Sequence, residues 1–142
     1  MREFNLSNPI QSNPIQSNIC VMSSFIFLTN YFVAYLLFNL KFYAILFLLL
    51  WITSILYHTN KNMYTNIVDK IVIFAIFIYG LYLFYTKSKS NKTIIKIFII
   101  LSFLLTILIY IHGQMYQTKY EYILHSILHI IGSIGHHLIV FL

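Results

Sequence analysis

The sequence predicts an all-α fold, a polytopic transmembrane bundle of about five helices, on three observations. Of its 142 residues, 60% are hydrophobic and only 8% are charged, against roughly a quarter charged in ordinary soluble domains. Mean hydropathy is +0.82. The apolar residues are gathered into five uninterrupted runs, near 20–38, 42–58, 67–86, 93–112 and 121–142, each close to the roughly 17 to 25 residues that cross a bilayer as a helix. Continuous runs argue against a β-barrel, whose strands alternate, and inside hydrocarbon a helix satisfies every backbone N–H and C=O within its own segment.

The elements follow in order. Residues 1–18 hold both prolines and a tandem SNPIQ repeat, a polar tract with too little apolar surface to repay its ordering entropy, so a disordered tail is expected there. It lacks the basic start and apolar middle of a signal peptide, so the run behind it is expected to persist as a span. The transmembrane bundle then covers 19–142, its spans broken by an abrupt turn at Asn39, Leu40 and Lys41, by the stretch His58 to Asn66, by the basic loop KSKSNK from Lys87 to Lys92, and by Gly113 to Tyr120. Such short breaks make consecutive spans antiparallel neighbours.

Nine Lys/Arg against three Asp/Glu give a net charge of +6. The cations punctuate apolar runs instead of clustering on one solvated face, so the expected partners are membrane lipids, with no nucleic acid. Lys41, Lys87, Lys89, Lys92 and Lys96 fall on one side of the bundle, Arg2, Lys61, Lys70 and Lys119 on the other. Excess positive charge marks the cytoplasmic face, which puts the C-terminus in the cytoplasm and the N-terminal tail in the lumen or outside. The lone cysteine, Cys20, excludes an internal disulfide and a thiolate zinc site, leaving His, Asp and Glu as metal ligands.

The polar residues inside the spans are the candidates for function. Ser54 and His58, four apart, share one face in the last turn of the second span. Asp69 lies early in the third span at the same membrane face, and His125 and His129 open the fifth at that face too. Imidazoles at i and i+4 stand about 6 Å apart along the axis, close enough to chelate one ion. His58 would complete three ligands around zinc (Zn2+) with an open fourth position, the arrangement of a catalytic site. A nearby carboxylate such as Asp69 can orient the metal-bound water or take its proton, and Ser54 can hydrogen-bond that water or a developing oxyanion.

Plainer readings compete residue by residue. The H-x-x-x-H pair can be coincidental or merely interfacial. If Asn66 caps the third helix, Asp69 falls in its first turn and only complements the helix dipole. Ser54 can bond back to the carbonyl one turn earlier. His112 reads as interfacial beside Gly113, and His136 and His137, about 10 Å deeper than His129, read as approaching the opposite headgroup layer. Gly132, Ser133 and Gly135 read as a close-packing face, and the tyrosines and Trp51 as interface anchors or packing.

Ser54 and His58 in S-x-x-x-H, Asp69 at the start of the next span, and His125 and His129 in H-x-x-x-H of the last resemble the pattern of the CREST superfamily. That group of membrane proteins includes alkaline ceramidases, the progestin and adiponectin receptor group with hemolysin III-like proteins, and relatives of GPI-remodelling lipases. The resemblance covers about residues 42–142 and looks more like the ceramidase and GPI-lipase branches. It implies zinc on His58, His125 and His129, Asp69 holding the zinc-bound water, and Ser54 supporting hydrolysis of an amide or ester of a lipid substrate. Family members have seven spans and this chain five, so a hairpin before the H-x-x-x-H helix is missing, which leaves room for a homo-oligomer or for a partner supplying helices. The acidic residues that ceramidases carry around their first helix are represented here by Glu3 alone. The alternatives are a non-enzymatic receptor or scaffold with a structural zinc, a haem protein with paired axial histidines, and a bundle whose histidines are incidental.

Overall fold

A computed structural model describes residues 14–115 and 121–142 of the chain, and every regular element among them is helical. The elements are α1 (Pro14–Ser24), α2 (Ile26–Phe32) with a π-helical turn (Val33–Leu37) continuing it, α3 (Lys41–Thr59), α4 (Met63–Lys87), α5 (Thr93–Met115) and α6 (Glu121–Phe141). Five helical stretches are long and apolar enough to cross a membrane, Ser17–Leu37, Lys41–Thr59, Met63–Lys87, Thr93–Gly113 and Glu121–Phe141. Most of the tail expected over 1–18 lies outside the described residues. Helix α1 is described from Pro14 onward, so residues 14–18, expected as part of that tail, are helical.

The turns follow local chemistry. The first span ends on a wide turn in which the Leu40 N–H reaches the Ala34 carbonyl, and Asn39 adopts φ 53°, a left-handed conformation that asparagine tolerates better than most side chains. Between α3 and α4 the break is shorter than expected. Asn62 is the N-cap of α4, its side chain accepting from Thr65 N–H at 2.9 Å while the Thr65 hydroxyl accepts from Asn62 N–H, a reciprocal cap that satisfies two otherwise orphaned donors. The cap therefore lies four residues before Asn66, the helix begins at Met63, and Asp69 lies almost two turns inside it. A carboxylate there is beyond the reach of the helix N-terminus, which removes the capping role as its explanation.

Helix α6 is the hub: it packs on α5, α1, α2 and α4, while α3 packs on α4, α2 and α1. Tyr43, Ala44, Phe47, Ile76, Ile99 and Ile139 are among the side chains buried where these helices meet. Around them large apolar side chains such as Leu36, Ile71, Phe74, Ile94 and Leu108 stand exposed, a surface that bilayer and not water solvates. The two glycines expected to pack on α6 part company. A Cβ on Gly135 would run into the Ser102 hydroxyl of α5 and touch the Phe103 ring, whereas one on Gly132 would meet open space, so Gly135 carries the close approach. At its far end α6 is capped by the basic loop. Lys87 Nζ donates to the Val140 carbonyl at 2.6 Å and Lys92 Nζ to that of Phe141 at 2.7 Å, covering carbonyls that a helix end leaves unbonded.

Candidate metal centre

The centre is built from the last turn of α3 and the first turns of α6. His58 is four residues after Ser54, so one helical face carries both, and His125 and His129 repeat that spacing on α6. Antiparallel packing brings the two faces to one end of the bundle. One ligand atom from each of His58, His125 and His129 lies within 4.8 Å of the others. The ring centroids are 4.9 Å apart for His58 and His125, 5.6 Å for His58 and His129, and 4.6 Å for His125 and His129. Three histidines thus stand close enough to hold one metal ion.

His58 is only 3% exposed, and among the described residues neither of its ring nitrogens has a hydrogen-bond partner. Buried polar groups left without partners cost about 1 to 3 kcal/mol, and native structures rarely tolerate them without a reason such as a missing ion. The orphaned nitrogens sit on the ring that faces the other two imidazoles. A cation would take the lone pair of one of them, and each of the other two rings offers it one further nitrogen.

Around this trio the remaining candidates are held by other groups. Asp69 is buried, and its Oδ1 accepts from Thr53 Oγ1 at 3.1 Å; among the described residues it is not part of the ligand cluster. Ser54 is buried too, but its hydroxyl pairs with Ser24 Oγ at 2.8 Å and not with its own helix. Ser24 gives its single hydrogen to the Cys20 carbonyl at 2.8 Å, so in the Ser24–Ser54 bond Ser54 donates and keeps its lone pairs for another partner.

Helix α1 is the element whose part in the site the sequence reading missed. Ser24 meets Ser54, its neighbour Ser23 meets His129 Nδ1 at 2.9 Å, and Ser17 Oγ donates to the His58 carbonyl. The signal in the sequence was a pair of adjacent serines early in the first span, because a contact between the first and last spans leaves no trace in local spacing.

His136 also departs from expectation. Instead of nearing a headgroup layer it is buried, its Nδ1 hydrogen-bonded to the Tyr43 hydroxyl and its ring flanked by Phe47 and Phe103. Gly80 on α4 makes room for it, since a Cβ there would stand 3.1 Å from His136 Cε1. His137 Nδ1 donates to the Ser133 carbonyl at 2.9 Å, and His112 is exposed near the end of α5. Trp51 is half-buried and packs edge-on against Phe25 at 5.6 Å. No family model, curated protein or solved structure matches the chain.

Proposed function

We propose that this chain is a multi-pass membrane hydrolase that holds zinc on His58, His125 and His129 and cleaves an amide or ester bond of a lipid. The observation that carries it is His58, buried with neither nitrogen bonded among the described residues and facing two further imidazoles. Zinc is the metal the donor set favours: three neutral nitrogens leave one tetrahedral position open, whereas non-haem iron sites add a carboxylate. The resemblance to the CREST superfamily, on Ser54, His58, Asp69, His125 and His129, supplies the reaction class.

Zinc, when bound, supplies a water acidic enough to ionise near pH 7 and a Lewis acid for the scissile carbonyl. The chain's own groups do the rest. Thr53 holds Asp69 Oδ1, leaving Oδ2 to accept the proton of the attacking water. Ser54, whose hydrogen is given to Ser24, would have lone pairs with which to accept from a water and orient it. The excess of lysines at the α6 C-terminal end supports a cytoplasmic C-terminus, with the histidines towards the lumen or exterior.

A second reading, a structural zinc tying α3 to α6 in a receptor or scaffold, is favoured by one observation: the Asp69 carboxylate is engaged by Thr53 and stands outside the ligand cluster. Metal analysis of the detergent-purified protein tests what the two share. Stoichiometric zinc that disappears in the His125→Ala, His129→Ala double variant is expected, and a metal-free native protein overturns both. Release of fatty acid from ceramide or phospholipid by the native protein, lost in Asp69→Asn, separates the enzyme from the scaffold.

A further inference from the structure

We infer that Ser23 is a positioning residue for the metal centre, fixing the ring tautomer of His129 so that Nε2 is the atom presented to the ion. The inference rests on the three-histidine site proposed above and adds a residue from a helix that supplies none of the ligands.

The direction of each hydrogen bond follows from counting hydrogens. A serine hydroxyl has one hydrogen to donate and lone pairs with which to accept. Ser23 Oγ lies 2.9 Å from the Cys20 carbonyl, which can only accept, so the serine hydrogen points there and shares that oxygen with the Ser24 hydroxyl. Ser23 Oγ also lies 2.9 Å from His129 Nδ1. With the serine hydrogen already placed, that second bond forms only if Nδ1 carries a hydrogen and donates it. A neutral imidazole has one N–H, so the Nε2 of His129 is left with its lone pair, as a metal ligand requires.

Geometry holds the arrangement in place. Ser23 lies in the last turn of α1, where the bond to Cys20 three residues earlier is local to the helix and keeps the hydroxyl oriented. Phe27, one turn further along the same span, packs on the His129 ring with centroids 5.0 Å apart. His129 is therefore held by α1 at its Nδ1 edge and by α2, through Phe27, against its ring, while His58 and His125 stand beside it. Ligating histidines commonly give their second N–H to an oxygen in this way, which sets both tautomer and ring orientation.

Binding of Zn2+ alone to the full-length, detergent-solubilised protein, after stripping with a chelator, tests the proposal. Ser23→Ala should weaken zinc binding about 10- to 100-fold, the usual loss when such a partner is removed, and Ser23→Thr, which keeps the hydroxyl, should restore most of it. Ser23→Ala binding zinc as tightly as the native protein overturns the role of Ser23 and leaves the three-histidine site standing. Native protein that takes up no zinc overturns the site itself and this role with it. A second measurement needs no variant: nitrogen NMR of the metal-free native protein should show the His129 proton on Nδ1, and finding it on Nε2 overturns the assignment.

Discussion

Thr53 Oγ1 donates to Asp69 Oδ1 at 3.1 Å, joining α3 to α4 through a bond between two buried side chains one helical hairpin apart. A carboxylate inside a membrane bundle is costly unless it is hydrogen-bonded, so Thr53 holds the group that the proposed chemistry needs. Thr53→Val should destabilise the protein by about 1.5 to 3 kcal/mol, the range for bonds to charged groups. Asp69→Asn should leave zinc content unchanged while abolishing lipid hydrolysis. Thermal unfolding, metal analysis and fatty-acid release by the two variants check these expectations, and zinc lost from Asp69→Asn would place that carboxylate among the ligands.

His58 makes opposite predictions with and without metal. In metal-free protein its two unbonded nitrogens are a liability, so His58→Phe, which buries an apolar ring of similar size, should unfold no more easily than the native protein and gain up to about 1 to 3 kcal/mol. With zinc present the native protein should be the more stable, since a ligand that binds only the folded state stabilises it by mass action. Unfolding measured with zinc and with chelator shows whether the order reverses.

Acid should release the metal. Each imidazole must be unprotonated to act as a ligand, so protons compete with the ion and binding expels them. Zinc retention should therefore be complete at alkaline pH and fall as the pH is lowered below the ordinary imidazole range, about 6.5. Retention measured by equilibrium dialysis across this range follows the sign, and retention that rises with acidity contradicts a histidine site.

Gly135 and Gly132 lie three residues apart on α6, yet only Gly135 faces α5 at close range. Gly135→Val forces α5 and α6 apart and should cost about 1 to 3 kcal/mol, the usual penalty for overpacking. Gly132→Ala should be close to neutral. Unfolding midpoints of the two variants give the comparison.

The Tyr43 hydroxyl is the hydrogen-bond partner of His136 Nδ1 within the core. Tyr43→Phe keeps the ring and removes only that oxygen, leaving a buried nitrogen unbonded at a cost of about 1 to 3 kcal/mol. Because His136 lies outside the ligand cluster, zinc content should not change, which separates this loss of stability from damage to the metal centre.

Five apolar runs of bilayer length, broken by short polar stretches, are written directly in the chain, and they specify a helical bundle because hydrocarbon admits few other ways to satisfy a backbone. Helical spacing likewise makes Ser54 and His58, or His125 and His129, neighbours on one face before any tertiary contact forms. Packing decided the rest. It placed Ser23 and Ser24 against His129 and Ser54, engaged Asp69 with Thr53, and buried His136 beside Tyr43. None of these contacts could be read from hydropathy, because in a membrane the lipid-facing and core-facing sides of a helix are equally apolar. Which side turns inward is settled by shape, small residues and hydrogen bonds between helices, and those exist only once the helices have met.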